Sequence, residues 1–264
     1  MSHDNRYFFV ANVRYDDNDD FGAHTTYRLA PAVIIPGSDT KLKATYGTAF
    51  KAPTLSQLFV SFPDFFFFAN PNLRPETAVG WDAGFEQPLF NDRFRFGATY
   101  FHNDITDLIN TERLAPDFTH YVNVGQVVTK GVEAFASAVI TPRLRVRGDY
   151  TYTQATDETT GEELLRRPRN KASLQVAWNP IDPLTLSGTV LYVGSWIDAN
   201  RNFTIPRLTA PGYTVVNIAA SYMVTNTVTA FARIDNLFDK RYENPTGFER
   251  PGFGAYAGIR VANR

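Results

Sequence analysis

The chain has 264 residues, a formal net charge of -1 and no cysteine, and 14% of its residues are aromatic. The near-neutral charge gives no reason to expect nucleic acid as a partner, and the absence of cysteine excludes disulfides and thiolate metal sites. No apolar run reaches the roughly 18 to 20 residues of a membrane-spanning helix, so the sequence excludes a helical membrane protein.

Strict alternation of apolar and polar residues recurs along the whole chain, and a period of two predicts β-strands. In chain order, the predicted strands lie near residues 9–15, 24–35, 42–46, 79–85, 94–100, 132–140, 144–150, 172–178, 184–192, 216–224, 228–234 and 255–261. These are about twelve strands, an even number, as bacterial outer-membrane barrels have.

The connections between these strands alternate in length. Tight turns are predicted near residues 37, 91, 142, 181 and 226. Longer loops are predicted between them, including the acidic segment 16–22, a segment from about Phe50 to Thr77 and an excursion after Tyr100. Short periplasmic turns and long extracellular loops distinguish transmembrane barrels in this way.

The polar faces of the predicted strands carry several charges each. Arg143, Arg145, Arg147 and Asp149 share one face of one strand. Because burying unpaired charges is costly, these faces must contact water or a water-filled lumen. The pattern predicts an all-β, antiparallel transmembrane β-barrel that forms a single domain over residues 1–264 and contacts outer-membrane lipid. The alternative is a sandwich or single-layer sheet with one solvated face.

Seven short segments carry a family resemblance. They are GTAFKAPTL at 47–55, NPNLRPE at 70–76, YVNVG at 121–125, KGVE at 130–133, LRRP at 165–168, PGY at 211–213 and RIDNLFDKRY at 233–242. In order and spacing they resemble the TonB-dependent outer-membrane receptors, and most closely the cobalamin receptors. The resemblance implies the outer membrane of a Gram-negative bacterium and uptake of a bulky small molecule, a corrinoid or a siderophore.

Such receptors have an N-terminal plug domain, a TonB box and a barrel of about 22 strands. The sequence shows no plug domain, no TonB box and about half of those strands, which corresponds to the C-terminal half of the barrel. We therefore expect a passive pore or a transport-incompetent barrel. The alternative function is an outer-membrane barrel enzyme or adhesin. Three arrangements stay open: the barrel closes with one chain, two copies pair as a homodimer, or the chain needs the other half of the barrel.

The loop residues Phe62, Phe65, Phe66, Phe67 and Phe68 are the main candidate ligand site. An apolar extracellular loop is typical of a docking surface for a bulky hydrophobic ligand. The alternative is a loop that folds into the barrel mouth or contacts lipopolysaccharide.

Other candidate sites are weaker. Asp17, Asp19 and Asp20 could supply oxygen ligands to Ca²⁺, but they lack EF-hand spacing. The basic cluster Arg166, Arg167 and Arg169 could meet anionic groups. We expect Asn236 and Asp239 to form Asx turns, and Gly212 and Gly247 to allow backbone kinks. The four scattered histidines lack ligand spacing, so no catalytic residue, cofactor or resident metal is predicted.

Overall fold

The computed structural model describes residues 2–3, 6–19, 21–115, 118–202 and 204–262. Strands dominate this part of the chain. In order they are β1 (Ser2–His3), β2 (Tyr7–Asn18), β3 (Gly22–Ile34), β4 (Lys41–Lys51), β5 (Phe67–Phe68), β6 (Glu76–Leu89), β7 (Phe94–Ala115), β8 (Phe118–Thr141), β9 (Leu144–Asp157), β10 (Glu162–Glu163), β11 (Asn170–Ile181), β12 (Leu184–Val193), β13 (Trp196–Asp198), β14 (Leu208–Ala210), β15 (Tyr213–Met223), β16 (Val228–Asp235) and β17 (Gly254–Val261). The helices are α1 (Leu55–Phe59) and a 3-10 helix (Pro63–Phe65).

The long strands form one sheet in which sequence neighbours pair. Its hydrogen-bonded order is β1-β2-β3-β4-β6-β7-β8-β9-β11-β12-β15-β16-β17, with β10 added to β9 and β5 added to β8. Among the described residues, the strands of eight or more residues are those predicted, which confirms the all-β fold of about twelve strands. No helix within the described ranges is long and apolar enough to cross a membrane.

The strand registers keep one face apolar from strand to strand. Leu174 of β11 lies opposite Val190 of β12, and Val190 lies opposite Val216 of β15. The adjacent residue Gln175 lies opposite Arg147 of β9 on the other face. Since successive side chains of a strand point to opposite faces, this register separates an apolar face from a polar one. The predicted alternation is confirmed.

The chain divides into two compact units. One contains Met1–Phe85, Thr99–Gly131 and Gln154–Leu164, and the other contains Glu86–Ala98, Val132–Thr153 and Leu165–Arg264. The second unit contains the cluster of buried apolar side chains, which consists of Val193, Trp196, Ala210, Tyr213 and Val215. This core lies where β12 leads into the short strands and these lead into β15.

All five predicted tight turns are confirmed, but two of the predicted loops are wrong. Asp16, Asp17 and Asn18 belong to β2, whose pairing with β3 continues as far as Asn18 opposite Gly22. The excursion after Tyr100 is also mostly strand, because β7 has 22 residues and β8 has 24. In both places the paired strands satisfy each other's backbone hydrogen bonds. The strands can therefore continue past the end of the alternating apolar pattern.

The remaining long connections are those at 52–75, 158–169, 194–212 and 236–253, and they are the part of the chain that can carry a site. The prediction that Arg143 shares a strand face with Arg145 and Arg147 is wrong, because β9 begins at Leu144. Arg143 lies in the turn before β9, where it donates to Asp182 Oδ1 at 2.8 Å. Arg147 donates to Asp149 Oδ1 at 2.6 Å, so charges on the polar face are paired along the strand.

Candidate functional site

The connection at 52–75 has its own ordered structure, which begins with a capped helix. Thr54 is the N-cap of α1, and its hydroxyl accepts a hydrogen bond from Gln57 N at 3.2 Å. The Gln57 side chain in turn accepts one from Thr54 N at 2.8 Å. This reciprocal pair is a capping box, which fixes the start of a helix of only five residues. The connection is therefore a defined surface on which side chains can be placed.

Two of the five candidate phenylalanines anchor this connection. Phe67 and Phe68 form β5, which pairs in parallel with Thr119 and His120 of β8. The Phe67 ring meets the Tyr121 ring edge to face at a centroid distance of 4.9 Å, and Phe68 stacks on Phe118 at 4.8 Å. Such aromatic pairs stabilise contacts beyond the area they bury. Phe67 and Phe68 thus hold the loop in place and are only half-buried.

The other three candidates are exposed. The exposed fractions are 49% for Phe62, 79% for Phe65 and 52% for Phe66. Phe66 has a positive φ of 53°, which is uncommon for a bulky residue and turns the chain sharply after the 3-10 helix. Leu55 and Phe59 of α1, which are not among the five named candidates, are also exposed, at 72% and 66%. We call residues Leu55–Phe66 the aromatic loop.

Polar residues from three of the recognised motifs fix the base of the same connection. Glu76 Oε1 accepts hydrogen bonds from Lys51 Nζ at 3.0 Å and from Ile109 N at 3.0 Å. Asn123 Oδ1 accepts from Arg74 N at 2.8 Å, and Asn123 Nδ2 donates to Arg74 O at 2.9 Å. These motif residues therefore hold the ends of the connection, and the aromatic loop projects from a braced base.

A second unusual feature, missed at the sequence level, is the buried carboxylate of Asp198 in β13. Its side chain is 0% exposed. Oδ1 accepts hydrogen bonds from Arg166 Nε at 2.9 Å and from Ala199 N at 2.8 Å. Oδ2 accepts from Thr246 N at 2.9 Å and from Trp196 Nε1 at 3.3 Å. Every lone-pair region of this carboxylate is thus used, as a buried charge requires.

The hydrogen bonds to Asp198 outweigh the effect of burial on its acidity. Desolvation acts to raise the pKa of the carboxyl, but the donors from Thr246, Arg166, Ala199 and Trp196 lower it from 3.8 to about 2. The group therefore carries its negative charge at any physiological pH. It has no proton to exchange in catalysis and acts as a fixed acceptor.

Asn236 bonds to nearby backbone groups, as predicted, whereas the backbone group bonded by Asp239 is distant in sequence. Asn236 has a φ of 50°, accepts a hydrogen bond from Lys240 N at 2.8 Å and donates one to Lys240 O at 2.9 Å. Asp239 also has a φ of 50° and accepts from Phe253 N at 2.8 Å. These side chains satisfy backbone groups where β16 passes into its connection, so they hold the connection.

Gly212 allows two backbone segments to approach closely. A Cβ atom there would lie 2.7 Å from Val193 O and 3.0 Å from Ser195 N. The predicted backbone requirement at Gly212 is thus confirmed. Beside it, residues including Leu208, Pro211, Tyr242 and Glu249 line a cavity of about 360 Å³.

The weaker candidates do not assemble into sites within the described residues. Asp17 lies in β2, Asp19 follows it in the turn, and Asp20 lies outside the described residues. In the ranges that the structure describes, no three His, Asp or Glu side chains are grouped to hold a metal ion. Calcium binding by the acidic segment stays a prediction.

The predicted basic cluster separates. Arg166 bonds to Asp198, whereas Arg167 turns back and donates to Arg166 O at 3.2 Å. Arg169 lies next to β11 and has interactions of its own. Anion binding by these three side chains stays a prediction.

The family follows from a direct comparison. Residues 3–237 match the model of the family described as TonB dependent receptor-like, beta-barrel. The chain belongs to this family. The predicted resemblance to TonB-dependent receptors is thus confirmed, while the narrower resemblance to cobalamin receptors stays a prediction.

Solved structures with the same fold support this assignment. A mutant of the ferric enterobactin receptor PfeA from Pseudomonas aeruginosa, in complex with enterobactin, superimposes with a TM-score of 0.82 and 22% identity, covering 97% of this chain and 43% of that one. The siderophore receptor PirA from Acinetobacter baumannii gives 0.79 and 18%, covering 97% and 43%. The copper transporter OprC gives 0.79 and 17%, covering 98% and 46%.

The chain therefore spans less than half the length of these three proteins. At identities this low, the superpositions establish only that the chain shares the fold of the TonB-dependent receptor barrel. These relatives are receptors and a transporter, which fits the prediction that the chain is not an enzyme. Receptors of this family are proteins of the Gram-negative outer membrane.

Proposed function

We propose that this chain forms the wall of an outer-membrane uptake receptor and that the aromatic loop contacts a bulky small-molecule metal chelate of the siderophore class. The observation that carries the proposal is the aromatic loop itself, in which six large apolar side chains, four of them phenylalanines, are exposed on a braced connection. The family supports the transport role, and the strands support the location in the membrane.

The apolar face of the strands suits contact with lipid. Leu174, Trp178, Ile218 and Tyr222 have exposed fractions of 40 to 46%. In water, such a continuous apolar surface would be unfavourable, whereas hydrocarbon accommodates it, and Trp and Tyr favour the membrane interfaces. A tilted strand of about 9 to 11 residues crosses a bilayer, so β7 and β8 extend well beyond one.

The exposed phenylalanines define the chemistry of the ligand. Flat, apolar rings bind partners that offer aromatic or extended apolar surface, and large exposed apolar patches usually mark binding sites. PfeA was solved with enterobactin, and PirA is described as a siderophore receptor, which supports a siderophore for this chain too. A corrinoid, which the narrower motif resemblance favours, is the second ligand to test.

Binding is tested by calorimetry with the full chain in detergent micelles, using ferric enterobactin and cyanocobalamin as probes. We expect Phe65→Ala to weaken binding of the preferred probe about tenfold, as loss of a well-packed aromatic contact does. The matched control is Phe90→Ala, because Phe90 is 76% exposed but lies in the tight turn between β6 and β7. Equal affinity for wild type and Phe65→Ala would refute the site, and no heat with either probe would refute both ligand classes.

For the chain acting by itself, we propose a pore that conducts passively. Planar-bilayer recordings test this, because stepwise openings would support an open lumen, and their absence would favour a transport-incompetent barrel. Light scattering in detergent separates a single chain from a homodimer, since a mass of two chains would overturn closure by one chain.

A further inference from the structure

Three of the long connections meet at one end of the sheet. Neighbouring strands from β9 to β17 are joined alternately by these connections and by the tight turns at 182–183 and 224–227. Because antiparallel neighbours reverse direction each time, the connections 158–169, 194–212 and 236–253 all leave the sheet at the same end. They are thus placed to interact with one another. Side chains and backbone groups from all three connections do form contacts.

Asp198 lies in the middle of these three connections. It belongs to 194–212, its Oδ1 accepts from Arg166 Nε of 158–169 at 2.9 Å, and its Oδ2 accepts from Thr246 N of 236–253 at 2.9 Å. With a side chain that is 0% exposed, these contacts are shielded from water. Hydrogen bonds to an ionised group in a low dielectric are stronger than neutral ones at the surface. One carboxylate therefore joins segments that are about 30 and 50 residues apart in sequence.

Each outer connection has a further attachment, either to the central connection or to the strand that follows it. Arg166 N donates to Ile197 O at 2.7 Å, and Arg166 holds a positive φ of 61°, which is uncommon for a long side chain. Such a conformation persists only where the surroundings enforce it. From the other connection, Asn244 Nδ2 donates to Tyr213 Oη at 3.0 Å, at the start of β15.

The apolar side of the junction is also packed. Tyr242 of the connection 236–253 stacks on Tyr213 with ring centroids 4.2 Å apart, and Trp196 meets Tyr213 edge to face at 6.1 Å. Thr246 is followed by Gly247, where a Cβ atom would lie 2.7 Å from Arg201 Cβ. The connections 194–212 and 236–253 therefore both pack on Tyr213, and they approach each other closely at Gly247 as well as through Asp198.

We infer that Asp198 is the positioning residue of a latch that fixes three segments as one rigid body: residues 165–169 of the first connection, and the connections 194–212 and 236–253. No outer segment opens alone, since opening either one would remove one of the donors of the buried carboxylate. Any movement of this wall, with or without ligand, is then a single concerted event. The inference does not depend on the identity of the ligand or on uptake.

Hydrogen-deuterium exchange of the full chain in detergent micelles tests the latch. Asp198→Asn keeps the shape of the side chain but presents an amide NH₂ to donors that need an oxygen. We expect exchange to become about tenfold faster or more in residues 165–169, 194–212 and 236–253 together, because local opening exposes their amides. The hairpin of β15 and β16 should exchange as in the wild type.

The matched control is Asp182→Asn. Asp182 also pairs with an arginine, at 2.8 Å from Arg143, but its side chain is 88% exposed. Exposed ion pairs contribute little, so exchange in the three connections should not change. Faster exchange in Asp198→Asn that is confined to residues next to position 198 would overturn the latch.

A second variant keeps the test valid if Asp198→Asn does not fold. Arg166→Gln alters a side chain that is 44% exposed, so the fold should tolerate it. We expect the amides of Asn244, Thr246 and Gly247 to exchange several-fold faster, although Arg166 itself lies in another connection. A change limited to 158–169 would show that the connections open independently and would contradict the inference.

Discussion

Acid should weaken the fold through Asp198 within a defined pH range. Its pKa is lowered from 3.8 to about 2, so the folded state prefers the ionised form more strongly than the unfolded state does. The resulting stabilisation is complete above pH 3.8 and is lost as the pH falls toward about 2. A difference of about 1.8 pKa units corresponds to about 2 kcal/mol of unfolding free energy.

The measurement compares wild type with Asp198→Asn. Unfolding by denaturant in detergent micelles is followed by tryptophan fluorescence at pH 7, 5, 3 and 2. The difference in unfolding free energy between the two proteins removes the contribution of all other acids. We expect a constant advantage of the wild type at pH 7 and 5 that shrinks by about 2 kcal/mol at pH 2. An advantage that does not change with pH, or that grows in acid, would refute the assigned contacts of this carboxylate.

Two further substitutions test the packing of the connections. Gly212→Ala should destabilise the protein by about 1 to 3 kcal/mol, because the new Cβ atom would meet Val193 O. The control Gly148→Ala should be nearly neutral in the same denaturant assay, because the nearest atom to its Cβ would be 3.8 Å away. Glu76→Ala should speed proteolytic cleavage within 52–75 several-fold, because Lys51 Nζ and Ile109 N lose their acceptor. Substitution of the exposed Glu158 by Ala should leave the cleavage rate unchanged. Equal cleavage rates in the two variants would argue against a braced base.

The strands could be predicted from the sequence because the two faces of each strand meet different surroundings. Residues such as Leu174 and Gln175 alternate along β11, and their partners across the sheet alternate with them. The ends of strands were harder to predict. Asp16 and Asp17 look like loop residues, but their backbone groups pair with β3, and pairing needs no apolar side chain.

The candidate site was found only in part. The run from Phe65 to Phe68 is uniform in sequence, and only the pairing of β5 with β8 separates the anchoring Phe67 and Phe68 from the exposed Phe65 and Phe66. Asp198 had no local signal at all. Its donors Arg166 and Thr246 come from distant segments, so the junction exists only once the sheet has brought three connections together.

The central claim is that the apolar face of the strands contacts lipid and the charged face contacts water. Because the chain has no cysteine, single cysteines can be introduced at Ser173, Leu174, Gln175 and Val176 of β11 and spin-labelled in lipid bilayers. The account predicts that labels at 174 and 176 collide with oxygen, which dissolves in lipid, and that labels at 173 and 175 collide with a water-soluble nickel complex. Equal accessibility at all four positions, or the reverse alternation, would contradict it.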